Sequence, residues 1–197
     1  GGWACNAAWA IGGRFPAGAI RVVTVTSWLD WPRLQAGLPE GVTLDAIFSG
    51  DTARDMPPIS VIINPSGACR LLRDPQAQTD DLWQVDRVSL GATLARVHLL
   101  GRLPPAFAAG VYACSRASGA TFAWCGGASL PLELERDVAI LCVNSAEAAQ
   151  LLGAASGTPQ DAAEALLRRA RSPGAVRVVT GGGAAPTTAA AREGGAV

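Results

Sequence analysis

Apolar positions along this chain fall into two rhythms. From Val85 onward, short continuous apolar runs alternate with segments of helical spacing. "ARVHLLG", "ATFAWC", "DVAILCV" and "AVRVVT" read as strands, and "PPAFAAGVYACSRASG", "SAEAAQLLG" and "PQDAAEALLRRARSPG" read as helices. Runs that are apolar throughout, separated by helices, predict a parallel sheet covered on both faces. Before Val85 the rhythm is less regular. Residues Trp3 to Ile11 are Ala-rich with apolar side chains around much of the circumference, which predicts a buried helix. "IRVVTVTSW" is β-branched and predicts a strand, and "WPRLQAGLPEG" predicts a short helix with Pro32 near its start and Gly41 beyond its end. "VTLDAIF" alternates, and "ISVIINPSGACRLL" gives two runs around the turn-forming Asn64-Pro65-Ser66-Gly67. Three short strands with no helix between them predict a small antiparallel β flap over residues 42–73. The Ala/Gly-rich segment from Gly181 to Val197 is compatible with a hairpin or a loose tail.

Composition narrows the function classes. The 197 residues are 49% hydrophobic and 16% charged, enough for one domain, residues 1–197, with a real core. Sixteen basic and sixteen acidic residues cancel, so no global field attracts nucleic acid or an anionic membrane, and a small-molecule role gains weight. No apolar run approaches the length of a membrane span, and the first residues carry no basic leader region. Cys5, Cys69, Cys114, Cys125 and Cys142 form no pair at metal-ligand spacing. They read as small apolar core residues in a reduced, cytoplasmic setting.

Three places combine chemistry with position. Asn144 and Glu147 follow an apolar strand directly, and ligands of parallel α/β sheets bind beyond the carboxyl ends of strands. Glu147 in the first turn of the next helix can hold a hydrated Mg²⁺; the same residues equally make a helix-capping arrangement. Thr180, Gly181, Gly182 and Gly183 close the next strand, where bare backbone N–H groups approach a phosphate; a flexible turn is the plainer reading. Neither a Walker loop nor a strand-linked G-x-G-x-x-G is present, which disfavours a dinucleotide-dependent oxidoreductase. Near the start, Gly1 and Gly2 precede Asn6, an arrangement suited to a polyhydroxylated ligand lying against backbone. Gly101 closes a strand and leaves room for substrate. His98, in mid-strand, reads as a core residue rather than a catalyst.

The ordered set of Gly-Gly-x-x-x-Asn, β flap, strand ending in Gly, Asn-x-x-Glu and Thr-x-Gly resembles the ribokinase family, the PfkB-type carbohydrate kinases. The resemblance implies a three-layer αβα fold with a mostly parallel sheet and the β flap as a lid. It implies ATP and Mg²⁺ as cofactors and a sugar or sugar-like substrate. Gly1, Gly2, Asn6 and Gly101 then fall to the substrate. Asn144, Glu147, Thr180 and Gly182 fall to the nucleotide, with Glu147 near Mg²⁺ through water, and a homodimer through the flap is implied. The family's Gly-Ala-Gly-Asp, whose Asp is the general base, does not occur in the chain, and no catalytic residue is assigned. The final Gly of the family's Thr-x-Gly-x-x-Gly is Ala185, and "WCGGA" stands where the family often carries Asp. The expectation is a truncated, inactive part of an ATP-dependent sugar kinase. The alternative is a non-catalytic sugar or nucleoside binder derived from the same fold.

Overall fold

The computed structural model describes residues 3–26, 30–48, 60–63, 69–72, 97–101, 103–126, 130–154, 157–181 and 187–192. The chain divides into two compact units, Gly1–Val88 and Ser89–Val197, each described by itself.

In the first unit, helix α1 (Trp3–Gly12) is followed by strand β1 (Arg21–Thr26), helix α2 (Trp31–Ala36) and strand β2 (Thr43–Phe48). β1 and β2 pair in parallel, Arg21 opposite Thr43 through Thr26 opposite Phe48. The alternation of "VTLDAIF" predicts a third antiparallel strand of the flap, and the structure corrects this. Alternation marks a half-buried strand but carries no direction. With α2 between them, β1 and β2 form a strand–helix–strand crossover, the connection that parallel neighbours require. Strand β3 (Ser60–Ile63) does pair antiparallel with β4 (Cys69–Leu72), while the turn residues Asn64–Gly67 lie outside the described residues.

Among the described residues, the core of this unit comprises Ala8 and Val22, packed with Ile20, Leu34, Leu38, Val42 and Leu44. α1 is not buried all round as its composition predicts. Ala8 is covered, but Trp9 is 69% exposed, because a helix laid on one short strand pair buries only one stripe. Gly41 takes a φ of 82° just before β2, and a Cβ there would meet the Ala17 Cα at 2.8 Å, so only glycine fits this entry turn.

The second unit alternates strand β5 (Val97–Leu100), helix α3 (Pro105–Ser118), strand β6 (Thr121–Cys125), helix α4 (Leu132–Glu135), strand β7 (Ile140–Asn144), helices α5 (Ser145–Leu152) and α6 (Pro159–Arg169), strand β8 (Val176–Thr180) and strand β9 (Thr188–Ala191). The sheet order is β5-β6-β7-β8-β9, with the first four strands parallel and β9 antiparallel to β8. The Ala-rich end thus forms a hairpin.

Successive neighbours joined by right-handed crossovers place their helices on one face of the sheet. That face is dry: Phe122, Trp124, Leu141, Val143 and Val179 pack with Phe107, Ala108, Val111, Ala148, Leu151, Ala162 and Leu166 of the helices, all buried. The opposite face carries the exposed Val97, Leu99 and Ile140. Pro159, the Thr158 cap and the Ala/Leu stripe make α6 a helix on local grounds. In its last turn, Arg169 donates to the Leu151 carbonyl at 2.8 Å, closing the C-terminal end of α5. Among the described residues no helix is long and apolar enough to cross a membrane.

Candidate functional site

Four parallel strands deliver their C-terminal ends to one edge of the second unit. Gly101 follows β5, Gly126 follows β6, Ser145 follows β7 and Gly181 follows β8. On this edge Asn144 and Thr180 are register partners, the last residues of adjacent strands. The Ser145 hydroxyl donates to the Thr180 carbonyl at 3.2 Å, tying the head of α5 to the end of β8.

Asn144 leaves the strand in an extended conformation and caps α5. Its Oδ1 accepts from the Glu147 N–H at 2.9 Å, and the Glu147 Oε2 accepts from the Asn144 N–H at 3.0 Å. This reciprocal box satisfies two N–H groups that a helix start otherwise leaves open. The capping reading of Asn-x-x-Glu is therefore realised in full. It does not exhaust the side chains. Asn144 is exposed, and its amide N–H₂ is not used by the cap. Glu147 is 9% exposed. The remaining N–H groups of the first turn and the helix dipole favour an anion at this end.

The structure thus brings together Asn144, Glu147 and Thr180. Gly101 stands on the same sheet edge, two strands from β7. Asn6 lies within α1 of the first unit, and Gly1, Gly2 and Gly182 lie outside the described residues.

Sequence patterns missed three features. Cys125 and Cys142 are register partners on β6 and β7. A hydrogen bond from Cys125 holds the Cys142 thiol down to about 7, against the opposing effects of burial and of the Glu147 charge. Seventeen residues of separation hide this pair in the sequence. The second feature is a buried ionic group, Glu135 on α4 with Arg177 on β8, both fully covered, and Arg169 at 3.3 Å from the Glu135 carboxylate. An arginine inside an apolar strand run was the available signal. The third is an open cleft at the opposite, N-terminal edge of the sheet, lined by Tyr112, Arg116, Asp137 and Arg171, with Tyr112 donating to Asp137 at 2.9 Å.

His98 is half-buried and bonded to α3. The Ser115 hydroxyl donates to the Val111 carbonyl at 2.9 Å, so its oxygen accepts from His98 Nδ1–H at 2.6 Å. Nε2 is then an unprotonated nitrogen, buried without a partner, and burial lowers the pKa below 6.5.

No family model matches the chain, and no curated protein matches it. Solved structures do. Phosphofructokinase-2 from Escherichia coli in complex with fructose-6-phosphate superposes with a TM-score of 0.64 at 16% identity, covering 95% of this chain and 64% of that one. A carbohydrate kinase from Agrobacterium tumefaciens gives 0.55 at 20% identity, covering 82% and 53%. Ribokinase from Giardia lamblia gives 0.52 at 13% identity, covering 82% and 53%. The chain spans less than two thirds of the length of each of these proteins. The strand order, the parallel register and these superpositions together establish that the chain has a ribokinase-like α/β fold.

Proposed function

We propose that this chain is the ribokinase-like part of an ATP-dependent kinase acting on a hydroxyl of a sugar or sugar-like substrate. The observation that carries the reading is the meeting of Asn144, Glu147 and Thr180 on one sheet edge, at the head of a helix whose N–H groups point outward. In such a reaction, catalysis is mostly positioning and charge neutralisation. The α5 N-terminus and the Asn144 amide orient phosphate oxygens. The Thr180 hydroxyl, half-exposed at the end of β8, adds a donor. Gly182 belongs to the same nucleotide-side turn in this reading.

Among the described residues, no three His, Cys, Asp or Glu side chains are grouped to hold a metal. One carboxylate at the site fits a Mg²⁺ that keeps its waters and is bound chiefly by the phosphates, and does not fit a protein cage. Such an ion supplies neutralisation of phosphate charge. Glu147 would orient its waters. On the substrate side, Gly1, Gly2, Asn6 and Gly101 are assigned by the resemblance, with β3 and β4 as lid strands and as a surface for a homodimer.

Glu147→Gln separates a metal role from a cap. Glutamine at this position still accepts from the Asn144 N–H, so the helix start survives while the charge is lost. Titration calorimetry with ATP, with and without Mg²⁺, should show Mg²⁺-dependent affinity about tenfold weaker in the variant, roughly 1.4 kcal/mol, at an unchanged unfolding midpoint. Equal affinities in both proteins would reduce Asn144 and Glu147 to a cap. No ATP binding by the wild-type chain would remove the nucleotide site from it.

A further inference from the structure

Cys125 ends β6 and Cys142 lies at the centre of β7, directly opposite each other in a parallel ladder, and neither is in a disulfide. Register partners on neighbouring strands project to the same side of the sheet. This side is the one that carries exposed Val97, Leu99 and Ile140, and both thiols are half-buried there. The backbone beside them is pinned: Gly126 N–H donates to the Cys142 carbonyl at 2.8 Å, and Trp124 Nε1–H donates to the Gly126 carbonyl at 3.0 Å. Neighbouring strands run about 4.8 Å apart, inside the roughly 4.4–6.8 Å between Cα atoms that a disulfide spans.

We propose that Cys125 and Cys142 form a thiol–disulfide exchange site, whose substrates are low-molecular-weight disulfides such as oxidised glutathione and whose product is a reversible bridge between β6 and β7. The Cys142 thiol releases its proton to solvent, and the thiolate attacks one sulfur of oxidised glutathione. The glutathione S–S bond breaks, one glutathione leaves as a thiolate, and Cys142 carries the other as a mixed disulfide. Cys125, its proton also released, attacks the Cys142 sulfur and expels the second glutathione. The two protein thiols give up two electrons and two protons, which reduce the oxidant to two glutathiones. The site stands on the geometry of the two strands and does not depend on the kinase reading.

The test is a thiol map of the full chain after incubation with oxidised glutathione, blocking of remaining thiols and proteolysis. The expected product is a cross-linked peptide pair joining Cys125 to Cys142, lighter by two hydrogens and separated again by dithiothreitol. Cys114→Ser should leave that product intact. Cys125→Ser should trap glutathione on Cys142 instead. The proposal is overturned if wild-type Cys125 and Cys142 are blocked to the same extent before and after oxidation. It is also overturned if glutathione persists on Cys142 in the wild type, or if the cross-link joins other cysteines. The wild-type map decides the matter even where a variant does not fold.

Discussion

Glu135 and Arg177 are both fully buried, and the terms that hold them are unequal. Arg177 donates to the backbone carbonyls of Val176 at 3.0 Å, Glu135 at 3.3 Å and Ala139 at 3.4 Å, while its Nε has no partner. The Glu135 carboxylate has Arg169 close enough to pair electrostatically, but neither oxygen has hydrogen-bond alignment. Burial pushes the Glu135 carboxyl up from its ordinary range, and Arg169, Arg177 and Arg136 oppose that shift. Such a group is harmed more by losing one member than by losing both. Glu135→Ala should cost about 3–5 kcal/mol by leaving buried positive charge without its partner, whereas the double change Glu135→Leu, Arg177→Met should cost less. Urea unfolding curves compare them, and a double variant less stable than the single would refute the account. His98 supplies a pH test. In the unfolded chain it takes up a proton as the pH falls through 6.5, and the folded chain resists. The contribution is therefore complete above that pH and is lost as the pH falls toward the lower folded value. His98→Asn keeps an N–H for Ser115 and does not titrate. The stability difference between wild type and this variant should be flat above pH 6.5 and shrink below it; a difference that is flat throughout denies the burial effect.

At the scale of elements, legibility followed the range of the interactions involved. α6 could be read from "PQDAAEALLRRARSPG" because its start, stripe and basic last turn are all local, and the structure adds a reciprocal cap between Thr158 and Asp161. Thr158→Ala should lower stability by about 1 kcal/mol in thermal or chemical unfolding, because one N–H at the helix start loses its acceptor. Lying at the start of α6, beyond the C-terminal end of α5 in the chain, it should leave any ATP affinity unchanged. α4 escaped notice because four residues are too few to show a helical period. The assignment of β2 to the flap failed for another reason. A strand's own residues record which face is buried, but its partner is chosen by the connection, here through α2. The same limit hid the Cys125–Cys142 pair, since register between β6 and β7 is not written in either strand alone.

At the scale of the molecule, the described edge collects an amide, hydroxyls and one carboxylate, which suits phosphate binding better than proton abstraction. The chain's sequence contains no Gly-Ala-Gly-Asp to supply the base that phosphoryl transfer requires. On the proposed kinase reading, incubation of the 197-residue chain with ATP, Mg²⁺ and a panel of sugars should yield no phosphorylated product by mass spectrometry, and clear turnover would refute this. Stoichiometric sugar binding without turnover would favour the non-catalytic binder. The sequence by itself determined β5 to β8 and helices α3, α5 and α6 of the second unit, because apolar runs, helical stripes, prolines and glycines act over a few residues. It also located Asn144 and Glu147 at a strand–helix junction. Only the tertiary structure decided that Asn144 stands beside Thr180, that β2 lies parallel to β1, and that an arginine and a glutamate share the dry interior. Those outcomes depend on strand register and on packing between residues tens of positions apart, and no local pattern of side chains encodes them.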